Sequence, residues 1–423
     1  MENERRIMRG ASAVLSRKGG FDVRDLLPPQ QAIITFLSRA ALLPPRVEAV
    51  DLDHALGRVL ASDLISDRAF PDVPRSTMDG YAIRADDVPA TLRIVAEVQM
   101  GAQSRASVAA QQAARIPTGG VVPSGADAVV PFERVSIDGE TIQVADHVRS
   151  GDCITQRGED IREGEHIFSA GRRIGPAEIG VLATLGCGEV AVFSRPLVAV
   201  TSSGDELVEP AALPKPGQVR DSNRYAIAAT LRAMGATVVH YPTARDREGA
   251  LEEILRSALA ASDAIVLSGG SSVGERDRTP EAISALGDPG VIVHGLRVKP
   301  GKPTVLAAIE GKPIVGLPGN PTSALMILET IGAPIVAALT GTHLVGRPID
   351  AELHEGVESR RGWTWFVPVT LSPKSAGFWA HPLPLRSSLT TLCARADGFI
   401  IVDEDTERLG RGTTVHVHSF SKG

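Results

Sequence analysis

The residues most suited to chemistry lie at 263–277, DAIVLSGGSSVGERD, where an apolar run opens into glycines and serines and then into Glu275 and Asp277. The run at 264–267 has the length of a buried strand. Glycine lets the backbone approach a ligand closely and turn its N–H groups toward an anion. Carboxylates beside a phosphate need a divalent cation between them. The segment predicts a metal–phosphate site, and a strand-to-helix turn with solvated acids fits it equally well.

The same pattern recurs twice in this part of the chain. An apolar run at 197–201 opens into SSGDEL, residues 202–207, and another at 312–317 opens into PGNP, residues 318–321. In open α/β sheets, ligands bind outside the carboxyl ends of the strands. The three loops together therefore favour a binding site at one sheet edge.

Two lysines share a proline-stiffened loop at 299–303, KPGKP. The prolines lower the entropy cost of presenting Lys299 and Lys302 together. The loop is typical either of a clamp for phosphate or a similar dianion, or of a solvated basic turn.

Composition excludes several classes of function. The 423 residues carry a net charge of −6 and only 4% aromatics, which argues against a nucleic-acid or membrane-surface protein. We see no apolar run of membrane-span length and no apolar signal core at the N-terminus. Cys153, Cys187 and Cys393 match neither a zinc site nor a disulfide framework, so we expect free thiols and a cytoplasmic protein.

The elements that must position these residues alternate between strand and helix from 196 to 340. Strand candidates at 197–201, 236–240, 263–267 and 313–317 alternate with helix candidates at 223–234, 247–260 and 321–339. Asp246 is a candidate N-cap of the second helix, and Asn320 followed by Pro321 begins the third. Such alternation predicts a doubly wound parallel sheet.

The whole chain is predicted to be multidomain, of class α/β plus β. The expected parts are a flexible tail at 1–27, a linker and helical-β domain I at 28–60 and 150–195, a β-rich domain II at 61–149, the α/β domain III at 196–340, and a β-barrel-like domain IV at 341–423.

Eight motifs in a fixed order make the chain similar to the molybdopterin molybdenumtransferase family, which includes MoeA and the gephyrin E domain. They are RSTMDGYAIR (75–84), PTGGVVPSGADAVV (117–130), RGEDI (157–161), SSGDEL (202–207), VRDSNRY (219–225), SGGSSVGERD (268–277), KPGKP (299–303) and GLPGNPTSAL (316–325). The resemblance implies a molybdopterin-binding α/β domain and a homodimer with shared active sites. It also implies Mg²⁺-dependent insertion of molybdate into adenylylated molybdopterin, with release of AMP. Contact with a molybdopterin adenylyltransferase or with acceptor molybdoenzymes is left open, as is tungstate in place of molybdate.

Carried over motif by motif, the resemblance implies catalytic roles for Asp79, Thr118, Asp160 and Asp246, and metal binding by Glu206 and Asp277. It implies substrate or cofactor binding by Ser203, Gly204, Ser268, Gly269, Gly270, Ser272, Lys299, Lys302, Pro303, Pro318, Asn320, Pro321 and Ser388.

The chain departs from the family pattern around the expected oxyanion site. The segment GWTWF, residues 362–366, stands where the family often carries arginines, so Arg360 or Arg361 is expected to substitute for them. Before KPGKP the family often carries a further lysine or histidine, and here either Arg297 or His294 takes that role or the charge is lost. Two other functions remain in view: a scaffold that kept the fold without turnover, and a molybdopterin adenylyltransferase. A pure scaffold has no need for Asp79, Glu206 and Asp277 together, and the β domains argue against an adenylyltransferase.

Overall fold

The computed structural model describes residues 26–102, 106–269, 279–343, 346 and 348–421. The tail expected at 1–27 lies outside these residues except for its last two positions. The chain divides into two compact units. The first comprises the described residues up to Ala61, Gly171–Gly175 and those from Glu189 onward, and the second comprises Ser62–Ala170 and Pro176–Gly188.

The first unit is built around a mixed α/β sheet. Within the described residues six strands pair in the order Thr237–His240, Leu197–Ser202, Ala264–Ser268, Lys312–Leu317, Val305–Ile309 and Pro289–His294. The first four are parallel, as the alternation of elements predicts. The strands Val305–Ile309 and Pro289–His294 were not among the strand candidates, and each pairs antiparallel with its neighbour, so the sheet is mixed at this edge. A short connection at 310–311 reverses the chain there, which makes the neighbouring strands antiparallel.

Side chains alternate across each strand, so this sheet presents an apolar face on both sides. Helices cover both of these faces. Val198 and Val200 face a core shared with the helices Pro29–Arg39, Asn223–Ala233, Pro321–Ile327 and Ala333–Thr340. Ala199 faces the opposite core, beneath the helices Ala250–Ala261 and Thr279–Ser284. The second of the expected helices begins after Gly249, so Asp246 is not its N-cap.

The segment expected as one helix at 321–339 contains a wider turn. An α-helix at Pro321–Ile327 passes into a π-helical turn at Leu328–Gly332 and then into an α-helix at Ala333–Thr340. Pro334 has no N–H to donate to the preceding turn, which favours a wider turn there. By length and composition Pro321–Thr340 would suffice to cross a membrane, which corrects the expectation that no such run exists. Of its most apolar 18 residues, however, 67% are buried, as in the core helix of a globular domain.

A closed barrel follows in the same unit. Its strands pair around a ring in the order Thr364–Pro373, Phe378–Pro382, Ile349–Leu353, Thr414–Ser419 and Gly398–Val402, and the last pairs with the first. Phe366 and Phe399 of the barrel belong to the same buried core as the α/β helices. The short strand Val298–Lys299 pairs in parallel with Thr364–Trp365, so the lysine loop lies against the barrel.

Small elements complete this unit. The short helix Leu392–Arg395 lies in the barrel region, and the 3₁₀ turn Leu52–His54 lies nearer the N-terminus. Short strands pair as Val47–Asp51 and Val59–Leu60 with Glu189–Phe193, Leu207–Val208 with Val219–Arg220, and Val357–Glu358 with Arg408–Leu409.

The second unit is a β domain. Its main sheet, as far as the chain is described, has the order Ala128–Pro131, Gly80–Ile83, Gln112–Ile116, Ala90–Glu97, Thr141–Val144 and Val135–Asp138. Ile83 and Ala82 point into separate cores on the two faces, so this sheet is covered on both sides. Two-stranded ribbons join Arg75–Ser76 to Ile154–Thr155 and Leu64–Ile65 to His166–Phe168, and the remaining elements are the helix Pro176–Thr184 and the 3₁₀ turns Ala85–Asp87 and Phe132–Arg134.

Candidate functional site

A cavity of about 890 Å³ lies at the carboxyl ends of the parallel strands, in the first unit. That volume is within the usual range for a small-molecule site. Three groups of residues line it. The strand-end loops supply Ser203, Gly204, Glu206, Asp246, Gly269, Pro318, Gly319, Asn320 and Ser323; the lysine loop supplies Val298, Lys299, Pro300, Gly301, Lys302 and Pro303; and the barrel side supplies Arg360, Trp363, Trp365, Leu385 and Ser387.

The strand-end loops pack tightly on one another through their backbones. Gly269 has φ +89°, and a Cβ there would lie 2.4 Å from the carbonyl oxygen of Ser203. The N–H of Ser203 donates to the oxygen of Ser268 at 2.9 Å, and the N–H of Gly269 donates to Leu317 at 3.2 Å. The N–H of Gly204 donates to Ala244 at 3.0 Å. These described glycines therefore permit close approach between loops, and their N–H groups do not point outward to an anion as the sequence pattern suggests.

Asn223 joins two of these loops and was not identified as a site residue from the sequence. Its Nδ2 donates to Ser268 Oγ at 2.8 Å and to the carbonyl oxygen of Gly319 at 2.8 Å. Ser268 itself is 2% exposed. Asn223 lies within VRDSNRY, and this motif was the only sequence signal that could have found it.

Two carboxylates face the cavity from neighbouring loops. Glu206 follows the strand Leu197–Ser202, and its carboxylate lies against Gly204, where a Cβ would come within 2.4 Å of Oε2. Asp246 follows the strand Thr237–His240, and its N–H donates to Asp205 Oδ1 at 3.1 Å. Arg245 also links these two loops, since its Nη1 donates to the carbonyl oxygen of Asp205 at 3.2 Å. Both acids are exposed, so they can take part in binding a cation or a polar ligand.

The lysine loop forms the opposite wall. The N–H of Leu296 donates to the carbonyl oxygen of Lys302 at 2.8 Å, and Thr304 Oγ1 donates to Gly301 at 2.6 Å. Lys299 Nζ lies 3.9 Å from the centre of the Trp365 ring. With Arg360, the described lining thus carries three cations and two carboxylates, an arrangement suited to an anion accompanied by a metal ion.

The barrel side of the cavity contains some of the alternative residues that the sequence left open. Arg360 lines the cavity and its guanidinium lies 5.7 Å from the Trp363 ring centre, whereas Arg361 is not among the described lining residues. Of the adjacent residues Ser387 and Ser388, Ser387 lines the cavity and its hydroxyl accepts from Asn320 Nδ2 at 3.2 Å. Arg297 Nη2 lies 3.6 Å from Glu404 Oε2, and Arg297 is not among the described lining residues.

The structure thus gathers many of the expected residues and leaves others apart. Those lining the cavity are Ser203, Gly204, Glu206, Asp246, Gly269, Lys299, Lys302, Pro303, Pro318 and Asn320. In the described lining, Ser268, Pro321 and Ser388 do not appear; Ser268 is buried behind it and Pro321 begins a helix. Gly270, Ser272 and Asp277 lie outside the described residues.

The remaining expected residues belong to the second unit. The N–H of Thr118 donates to Asp79 Oδ1 at 2.6 Å. Hydrogen bonds from the backbone and side chain of Thr118 hold the pKa of Asp79 below its usual range. Asp79 is therefore an ionised, exposed carboxylate at neutral pH. Asp160 is also exposed, on another loop, and its N–H donates to Phe70 at 3.2 Å.

Three family models match successive parts of the chain. "MoeA N-terminal region (domain I and II)" matches residues 27–186, "Probable molybdopterin binding domain" matches 199–338, and "MoeA C-terminal region (domain IV)" matches 350–420. The cavity residues lie within the last two matches.

Relatives and solved structures agree with these matches. The molybdopterin molybdenumtransferase of Nostoc sp. is 36% identical over 304 residues, covering 70% of each chain. Molybdopterin molybdenumtransferase 2 of Mycobacterium tuberculosis is 32% identical over 92% of this chain and 97% of the relative. Two crystal structures of the molybdopterin biosynthesis MoeA protein from Pyrococcus horikoshii have TM-scores of 0.77 and 0.81, with 33% and 25% identity. They cover 94% and 93% of this chain, and 100% of each of those chains is matched.

Proposed function

Because the chain belongs to the molybdopterin molybdenumtransferase family and is thus a transferase of molybdenum cofactor biosynthesis, we propose that its cavity inserts molybdate into adenylylated molybdopterin and releases AMP. One observation carries the proposal: Lys299 and Lys302 line the same cavity as Glu206 and Asp246. Cations suit the oxyanion, and carboxylates suit a divalent cation beside the adenylyl phosphate.

The two lysines bind the oxyanion. Molybdate is a tetrahedral dianion, and ammonium groups on one stiff loop lower the cost of binding it. The thiolates of the pterin react with molybdenum, so the protein has to orient the two substrates and to balance their charge.

Magnesium fits the carboxylates of this cavity. Mg²⁺ is held through one or two carboxylates together with substrate phosphates, and it retains several waters. Glu206 offers exposed oxygens at the cavity wall, with Asp246 on the next loop, and the proposed second ligand is Asp277. When bound, Mg²⁺ neutralises charge that develops on the phosphate. Glu206 would then hold the ion, and Asp246 would orient its waters.

The expected site residues of the second unit contribute to the active site through dimer formation. We propose a homodimer in which Asp79, Thr118 and Asp160 of one subunit act with Glu206 and Asp277 of the other, as the family resemblance implies. Asp79→Asn and Asp277→Asn subunits, each inactive alone, should regain activity when mixed and allowed to exchange. Half of the dimers are then mixed, each with one intact site, so about a quarter of wild-type activity returns. Exchange confirmed by mass without returning activity would refute the shared site.

We also propose a cytoplasmic location and a class of protein partner. The free thiols Cys153, Cys187 and Cys393 fit a reducing cytoplasm. A molybdopterin adenylyltransferase, or an acceptor molybdoenzyme, is the partner class that the substrate and product chemistry would bring to this protein.

The central experiment supplies adenylylated molybdopterin, Mg²⁺ and molybdate, and follows AMP release and metal incorporation. Lys302→Ala should raise the molybdate concentration for half-maximal insertion by about 10- to 100-fold, since a hydrogen bond to a charged group is removed. Lys215→Ala, at an exposed loop outside the cavity lining, is the matched control. A scaffold would release no AMP, and an equal loss of pterin binding in Lys302→Ala would assign the loop to the pterin phosphate.

A further inference from the structure

An indole ring faces one of the cavity lysines. The parallel pairing of Val298–Lys299 with Thr364–Trp365 sets Lys299 in register with Trp365. The ammonium lies 3.9 Å from the ring centre, well within the distance at which a cation is attracted to an aromatic face. Both side chains line the cavity.

The ring is anchored on its other sides. Trp365 packs against the barrel core, and its neighbour Phe366 is 2% exposed. The N–H of Thr364 donates to the carbonyl oxygen of Arg297 at 3.0 Å, which holds the strand beneath the ring. Trp365 Nε1 is buried and has no hydrogen-bond partner among the described residues, so the ring acts through its face and not through its N–H.

An aromatic face holds a cation without cancelling its charge. Some other cations of this unit are paired with carboxylates, as in Lys374 with Glu352 and Arg224 with Glu209. Over the part of the chain that the structure describes, no carboxylate forms an ion pair with Lys299. Its positive charge therefore remains available to an anion, while the indole restricts the rotamers of a long, flexible side chain.

We infer that Trp365 is a positioning residue for Lys299, whose ammonium group it orients at the wall where the oxyanion binds. The inference rests on the proposed function, since it takes Lys299 to be an oxyanion ligand. The inference also gives the GWTWF segment a role. Where the family often carries arginines, this segment supplies an aromatic ring that orients Lys299.

The chain offers a matched control outside the cavity. Trp379 lies 4.9 Å from Lys374 Nζ in the same barrel, and neither residue is among the described cavity lining. Trp379→Leu therefore removes a ring that also lies over a lysine, one that is paired with Glu352, without touching the proposed oxyanion wall.

The experiment measures the binding of molybdate alone to the full chain by calorimetry. Trp365→Leu should weaken binding by about 2- to 30-fold, the range expected for loss of one cation–π contact. Trp365→Phe keeps an aromatic face and should weaken binding less, and Trp379→Leu should leave it unchanged. In a Lys299→Ala background, Trp365→Leu should have no further effect, because Trp365 acts through Lys299.

Several outcomes would overturn the inference. Tighter binding in Trp365→Leu would mean that the ring sequesters the lysine, and additive effects of Trp365→Leu and Lys299→Ala would mean that the ring contacts the anion or serves only the fold. If Lys299→Ala and Lys302→Ala weaken binding while Trp365→Leu and Trp365→Phe do not, the inference fails and the proposed function stands. If neither lysine variant changes molybdate binding, both fail.

Discussion

Replacing Gly269 with alanine tests whether backbone packing between the strand-end loops holds the cavity in shape. The new Cβ would lie 2.4 Å from the carbonyl oxygen of Ser203, where ordinary contact begins at about 3.4 Å, so the two loops must separate by roughly 1 Å. The φ of +89° adds backbone strain for any residue with a Cβ. Strain of about 1–2 kcal/mol and overpacking of about 1–3 kcal/mol predict a loss of about 2–5 kcal/mol in unfolding free energy.

Gly217 provides the control for this substitution. It has nearly the same backbone angle, φ +88°, but a Cβ there meets nothing within 4 Å. Gly217→Ala should therefore cost only the strain, about 1–2 kcal/mol. Urea denaturation of both variants measures the difference, and the molybdate concentration for half-maximal insertion should rise in Gly269→Ala alone. Equal unfolding free energies for the two variants would refute the argument from close packing.

Two further substitutions address groups that hold loops and termini in place. Asn223→Ala removes the hydrogen bonds to Ser268 and Gly319 and should cost about 1–3 kcal/mol in unfolding free energy, measured by urea denaturation. Burial raises the pKa of Glu329, which accepts hydrogen bonds from the N–H and hydroxyl of Ser421. A folded state that binds the proton more tightly loses stability as pH rises from the ordinary value of 4.5 through the raised pKa. Glu329→Gln, which cannot ionise, should therefore gain in melting temperature relative to wild type as pH rises.

The predictions for Asn223→Ala and Glu329→Gln each have a control and a result that would contradict them. Asn320→Ala removes a single exposed hydrogen bond, to Ser387 at 3.2 Å, and should cost less than Asn223→Ala; equal losses would contradict a bridging role for Asn223. For Glu329, the melting temperatures of wild type and Glu329→Gln should converge at acid pH. A difference that stays constant between acid and alkaline pH would show that ionisation of this carboxyl does not affect folding.

Local sequence determined the helices and strands of the α/β domain closely. Apolar runs of strand length predicted the parallel strands to within about two residues, because a buried strand needs an unbroken apolar segment. Asn320 and Pro321 begin a helix as expected, since the fixed φ of proline suits the first helical turn. The fold class, doubly wound α/β with β-rich parts, follows from such signals and from the order of the eight motifs.

Tertiary structure decided how those elements meet. The antiparallel pair Pro289–His294 and Val305–Ile309 depends on the path of the chain between them, which composition does not encode. Asn223 became a bridge between loops only because two distant strand ends lie on either side of its amide. Lys299 and Trp365 meet because two strands from separate parts of the chain pair in parallel. Residue types and caps are local properties and can be predicted from sequence, whereas these contacts join segments far apart in the chain, and their geometry exists only once the chain has folded.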